Sequence, residues 1–247
     1  MIIAGLQKVT LIDYPGKIAA TVFLASCNFR CPWCYSSELV LPERIKKQPR
    51  ISKKEFFDFL KDRKGLLEGV VVCGGEPCLN RGLAGFIKKI KKMGFSVKLD
   101  TNGSKPGMLK KLIEQKLVDY VALDVKLPKE RYFQVLGVGV GEIEKSIEIL
   151  KENKTNYEFR TTVVPTVLDK YDVIEIAKWI SGFGRHSFSE GGGRHSFSEG
   201  GSKYYLQNFR PEKTIDPDFE KLKPYDDDYL LNIKETIAPF FEVCGIR

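Results

Sequence analysis

This 247-residue chain predicts an α/β fold built on a parallel sheet. Three observations carry that expectation. Six short, apolar, β-prone runs recur along the chain, each is followed by a stretch with helical spacing of apolar residues, and glycines or carboxylates cluster where the runs end. Strands separated by single helices make parallel βαβ units, each with a right-handed crossover. Six units fall short of the eight that close a (β/α)8 barrel.

Residues 18–24 form the first apolar run and end at a cysteine-rich loop. After a basic stretch at 44–50, a helix opens at Ser52, which makes a capping box with Glu55; Phe56, Phe59 and Leu60 supply its buried face. Residues 69–73, Gly-Val-Val-Val-Cys, read as a strand buried on both faces. In the helical stretch 81–93, Leu83, Phe86, Ile87 and Ile90 follow i, i+3, i+4, i+7 spacing, and Gly94 stops it. The alternation continues with strands at 95–99, 120–124, 157–164 and 203–209, and helices at 106–116, 142–153, 171–180 and 227–237. Gly137, Gly139 and Gly141 follow no strand, so they read as a loop before a helix and not as a nucleotide fingerprint.

A hydrophobic content of 43% supplies a real core, which reads as one domain over residues 1–247. No apolar run reaches the about 18 residues of a membrane span, and the first residues lack the apolar core of a secretory signal. Six cysteines without such a signal fit a reducing cytoplasm. The formal charge of +8 comes from lysines scattered over helices without interleaved aromatics, so it reads as solvated helix faces and not as a nucleic-acid site. Residues 184–192 are repeated without change as 193–201, carrying the only histidines, His186 and His195. A glycine- and serine-rich duplication of nine residues is too short for a packed repeat, so 184–201 reads as a flexible insertion or a sequence artefact. Histidine-based acid–base catalysis is then excluded from the core.

Chemistry concentrates at Cys27, Cys31 and Cys34, three thiols within eight residues at C-x3-C-x2-C spacing. Thiolates select iron–sulfur clusters, zinc or copper(I). A zinc site would need a second ligand pair, and a disulfide framework does not suit a chain of this size and compartment. Three ligands around a four-iron cube would leave one iron open to a ligand that is not protein. The remaining cysteines, Cys73, Cys78 and Cys244, lie far along the chain and read as small buried residues.

This loop, with Trp33 just before the third cysteine, resembles the radical S-adenosylmethionine superfamily. Residues 1–40, with Leu11-Ile12-Asp13-Tyr14-Pro15-Gly16 leading in, are most similar to the activating proteins of anaerobic ribonucleoside-triphosphate reductase. The resemblance implies a partial (β/α)6 TIM-like barrel, open on one side. It also implies a [4Fe–4S] cluster on Cys27, Cys31 and Cys34, whose open iron chelates the amino and carboxylate groups of S-adenosylmethionine. Trp33 fills the family's aromatic slot. Gly74, Gly75 and Glu76 match its G-G-E motif, where glycines let backbone approach a ligand and the glutamate pairs with the cofactor's amino group. Asp100, Thr101 and Asn102, and the pair Asp124 and Lys126, match strand ends that contact the cofactor's amino-acid portion and ribose. A carboxylate at such a place needs a partner or water; Asp100 as a turn cap, or Asp124 paired with Lys126, would satisfy it equally. Arg160, inside the fifth run, needs an anion if it points inward, and the family matches an arginine there. Related activases carry an aspartate near position 13, so the resemblance implies that Asp13 faces a protein substrate.

The implied activity is one-electron cleavage of S-adenosylmethionine to methionine and a 5′-deoxyadenosyl radical, which takes a hydrogen from a glycine Cα of a partner glycyl-radical enzyme, anaerobic ribonucleotide reductase. Flavodoxin or ferredoxin would supply the electron. Two rivals stand beside it. One is a small-molecule member of the same superfamily, such as a carboxydeazaguanine synthase; the other is an iron–sulfur electron carrier or zinc-binding structural module. The second leaves the strand-end motifs unexplained.

Overall fold

The computed structural model describes residues 1–182 and 202–247. The duplicated segment 184–201 lies outside the described residues. One eight-stranded sheet runs in chain order from β1 to β8. Its strands are β1 (Ile3–Thr10), β2 (Ala19–Leu24), β3 (Gly69–Gly74), β4 (Ser96–Thr101), β5 (Tyr120–Asp124), β6 (Asn156–Val163), β7 (Lys203–Asn208) and β8 (Val243–Ile246). β2 to β8 pair parallel and β1 pairs antiparallel with β2. β1 and β8 do not pair with each other, so the barrel stays open.

β2 to β7 are the six runs that the sequence predicts, with ends shifted by a residue or so. Ala20, Val22, Leu24, Val70, Val72, Val97, Leu99, Val121 and Leu123 are all fully buried, as parallel strands covered on both faces require. The helices between them pack outside: Lys53–Asp62, Leu83–Lys92, Pro106–Glu114, Gly141–Glu152 and Lys170–Ser181, with Asp227–Ile237 after β7. The apolar stripe Leu83, Phe86, Ile87 and Ile90 faces the sheet as its spacing predicts. The capping box forms: Ser52 Oγ accepts the Glu55 N–H at 3.1 Å, and the Ser52 N–H reaches Glu55 Oε2 at 2.7 Å. Gly137 is not a simple loop residue, because it ends a short helix, Tyr132–Leu136, in the left-handed region at φ 65°.

The two edge strands are additions to the expected fold. β1 carries polar, exposed residues at Gln7 and Lys8, and β8 is four residues long with Gly245 inside it. β1 lacks the apolar continuity that marks the central strands, and β8, though apolar, is too short and too exposed to resemble them. Arg247 ties β8 inward, donating to both carboxylate oxygens of the buried Glu158 at 2.6 and 2.9 Å and lying 3.6 Å from the Tyr205 ring centre. No helix among the described residues is long and apolar enough to cross a membrane.

Candidate active site

A cavity of about 410 Å3 opens at the carboxyl ends of the parallel strands, within the roughly 300–1,000 Å3 typical of small-molecule sites. It lies where reactive groups gather in parallel barrels. One wall is the loop that follows β2. Cys27, Cys31, Trp33 and Cys34 all line the cavity. Trp33 is held from behind by Phe219, ring centres 6.3 Å apart, and the Asp216 N–H donates to Pro32 O at 3.0 Å. A segment after β7, distant in sequence, thus buttresses the cysteine loop.

Among the described residues no three His, Cys, Asp or Glu side chains converge on a single metal ion. A four-iron cluster would not ask for that, since Cys27, Cys31 and Cys34 would each hold a different iron. Three thiols on one cavity wall, with Cys73 as the one further cysteine lining the cavity and no His among the described residues, fit such a cluster better than zinc. Burial pushes all three thiols up, Cys31 to about 12, and Lys126 pulls against it. A bound metal reverses that balance, because a coordinating thiol is deprotonated outright.

The floor is a chain of charges contributed by adjacent strands, Lys98 fully buried and the others half-buried. Lys98 donates to Asp100 Oδ1. Arg160 bridges, its Nη1 2.9 Å from Asp100 Oδ2 and its Nε 2.8 Å from Asp124 Oδ1. Lys126 Nζ lies 3.5 Å from Asp124 Oδ2. Strand alternation explains the grouping: 98 and 100 share one face of β4, and Asp124 sits beside Arg160 in the β5–β6 register. Arg160 does point inward, but the anions it meets are the protein's own carboxylates. Burial alone would raise the Asp124 carboxyl; Arg160 and Lys126 outweigh it and hold it below the usual aspartate range. Burial alone would lower Lys126, yet Asp124 and the three cysteines raise it above the usual lysine value.

The glycines of the G-G-E turn line the cavity, but their close neighbour is the cysteine loop and not a ligand. A Cβ on Gly74, whose φ is 122°, would stand 2.3 Å from Leu24 O, and one on Gly75 would stand 2.1 Å from Ser26 O. Both positions require glycine so that β3 and the chain leaving β2 can touch. Glu76, the third residue of the motif, lies behind these glycines. It is fully buried and does not line the cavity. Its Oε1 accepts from the Cys78 N–H and the Thr101 hydroxyl, both at 2.8 Å, and its Oε2 accepts from the Asn102 N–H at 2.6 Å. The carboxylate is a brace that joins the ends of β3 and β4, placed there because the turn directs residue 76 under the wall.

Asp100, Thr101, Asn102, Asp124, Lys126 and Arg160 all line the cavity, and Asp13 joins them, accepting from the Thr21 hydroxyl at 2.6 Å. Thr162 on β6, Gln207 on β7, Arg210 after β7, Tyr35 beside Cys34, and Lys98 beneath also belong to the site, and no sequence motif marks them. Lys98 had a signal, a lysine inside an apolar run and one alternation from Asp100. Gln207 and Arg210 had only their place at a strand end.

Residues 21–180 match the Radical SAM superfamily. A Methanocaldococcus jannaschii protein, provisionally described as a glycyl-radical enzyme activating enzyme, is 32% identical over 256 residues, covering 100% of this chain and 95% of its own. A 7-carboxy-7-deazaguanine synthase of Thermococcus kodakarensis is 28% identical over 56% of this chain and 60% of its own. Among solved structures, Streptococcus suis SuiB bound to its precursor peptide SuiA superposes with a TM-score of 0.64 at 15% identity over 92% of this chain, a likeness of fold; this chain spans 47% of that one. With the family match extending over more than half its length, the chain belongs to the radical SAM superfamily, whose members work through a [4Fe–4S] cluster and S-adenosylmethionine.

Proposed function

We propose that this radical SAM enzyme installs a glycyl radical on a partner protein, anaerobic ribonucleoside-triphosphate reductase. The observation that carries the reading is the end-to-end similarity to the M. jannaschii protein, 100% of one chain against 95% of the other, where the similarity to the deazaguanine synthase stops at 56%. The site supports it. Asp13 lines the cavity while its neighbours Leu11 and Ile12 are 71% and 80% exposed. Apolar side chains held out beside a cavity carboxylate suit a docked protein loop better than a small polar substrate.

In this reading Cys27, Cys31 and Cys34 hold the cluster, and Trp33 packs the loop that carries them. Asp124 and Lys126 present a fixed pair of opposite charges toward the cavity, suited to the ammonium, carboxylate and hydroxyls of S-adenosylmethionine. Arg160 holds Asp100 and Asp124 in place, a role in which it orients other cofactor contacts as well as any it makes itself. The bound cofactors supply one-electron cleavage of a sulfonium C–S bond and the abstraction of a hydrogen atom from glycine Cα; flavodoxin or ferredoxin supplies the electron. No general base is asked of the protein. Asp13 and the apolar pair beside it anchor the partner's loop, which excludes water from the open side.

The test is to reconstitute the protein anaerobically with iron and sulfide, add S-adenosylmethionine, a reductant and the reductase, and record electron paramagnetic resonance spectra. The expected result is a glycyl doublet on the reductase with stoichiometric 5′-deoxyadenosine. Fast 5′-deoxyadenosine formation on a pterin with no protein radical would overturn the reading in favour of a deazaguanine synthase.

A further inference from the structure

We propose that Asn102 tunes the reduction potential of the cluster through a side-chain N–H···S hydrogen bond to Cys27. Asn102 Nδ2 stands 3.8 Å from Cys27 Sγ, within reach of sulfur, which is larger than oxygen and accepts at longer range. The orientation of the amide is determined by its neighbours. Its Oδ1 accepts the Ser104 N–H at 2.9 Å, and that backbone group can only donate. The nitrogen end therefore faces Cys27 and Asn28, and it also reaches Asn28 Oδ1 at 3.2 Å.

The residue has little freedom to leave that position. It is 4% exposed, and its backbone N–H donates to Glu76 Oε2 at 2.6 Å. The buried carboxylate thus has a purpose in the site despite lying outside the cavity: it holds the turn that aims Asn102 at the sulfur. Cys27 also accepts from the Phe29 N–H at 3.4 Å, so two donors meet on this one thiol. Hydrogen bonds to the ligating sulfurs are among the main controls on iron–sulfur potentials. A donor draws electron density from the thiolate and stabilises the reduced, more negative cluster, which raises the midpoint. Asn102 is accordingly a positioning and tuning residue that acts through Cys27, not a contact to S-adenosylmethionine alone.

The inference rests on Cys27 being a cluster ligand, and the two can fail separately: a cluster that assembles fully in Cys27→Ala would end the ligand assignment itself. With that ligand in place, the midpoint of the reconstituted protein is measured by potentiometric titration followed by electron paramagnetic resonance. Asn102→Ala is expected to move it to more negative values by about 59 mV, which is a tenfold change in a one-electron equilibrium. Asn28→Ala removes the competing acceptor but leaves the N–H···S bond, so its midpoint should stay at or slightly above that of the parent protein. A role confined to bridging the cysteine loop and the β4 turn would move both variants alike, and that result would overturn the proposal, as would an unmoved midpoint in Asn102→Ala. Should Asn102→Ala fail to assemble a cluster, the parent protein grown with asparagine labelled with 15N in the side chain answers the same question. A 15N hyperfine coupling to the reduced cluster is expected, and its absence would sink the idea.

Discussion

Glu76 and Asp124 are both carboxylates just past or at the end of a parallel strand, and the structure uses them in opposite ways. Glu76 lies beneath the cavity wall, surrounded by neutral donors from Cys78, Thr101 and Asn102. Asp124 lies on the wall between Arg160 and Lys126. Burial raises the Glu76 carboxyl above its usual value, only partly offset by the dipoles around it. At Asp124 two full positive charges overcome the same burial, and the carboxyl is lowered. Dipoles can satisfy a carboxylate without keeping it strongly acidic, whereas cations do both. The first arrangement makes a brace; the second makes a charged surface that a polar cofactor can meet.

The largest effect that would break this division is at the wall. Cys31→Ala should abolish cluster absorbance and S-adenosylmethionine cleavage while leaving the unliganded fold intact, and Cys78→Ala, on the brace side, should keep the cluster. A cluster that survives loss of Cys31, read by iron content and visible absorbance, would remove the wall's central feature.

Next comes Arg160→Met, which leaves Asp100 and Asp124 without their shared cation. The network is half-buried, and Lys98 and Lys126 still face the two aspartates, so the loss should fall below the about 3 kcal/mol of a fully buried pair, measurable by urea denaturation. Asp124→Asn should cost less, because only one of the two carboxylates that Arg160 holds is neutralised. Equal losses in the two variants would mean that Arg160 does not bridge in solution.

Glu76→Gln sharpens the comparison from the other side. The new amide would point an N–H at a donor, costing about 1–3 kcal/mol, with little change in S-adenosylmethionine affinity once the fold is held by mild conditions. The pH dependence should also differ in sign. For Glu76 the folded carboxyl is raised, so its stabilising contribution is full below about pH 4.3 and is lost as pH rises through the higher folded value. For Asp124 the folded carboxyl is lowered, so its contribution is present above about pH 3.9 and is lost as pH falls through the lower folded value. Denaturation of the parent, Glu76→Gln and Asp124→Asn across pH 3–7 reads both slopes; slopes of the same sign would erase the distinction.

The smallest effect should come from deleting residues 184–201. The exact duplication is the whole motivation, and the expected outcome is unchanged stability and unchanged cofactor cleavage, checked by the same denaturation and by 5′-deoxyadenosine yield.

What the amino-acid order determined by itself is the part of the molecule governed by local periodicity and short-range chemistry. Apolar runs mark β2 to β7 because strands buried on both faces have no room for polar residues. The helices announce themselves through spacing and caps, and three thiols close in sequence stay close in space. The edge strands escape that reading because an edge tolerates polar residues and short length. Tertiary structure alone decided which side of a turn each motif residue occupies. Glu76 follows two glycines whose close contacts with Leu24 and Ser26 turn it under the wall, and no pattern in a Gly-Gly-Glu triplet records that direction. Arg160 finds Asp100, sixty residues away, through the order of three neighbouring strands. Asn102 meets Cys27 across the turns that Glu76 and Asn28 tie together. Contacts between distant strand ends depend on register and on the local path of each turn, and those are properties of the packed sheet.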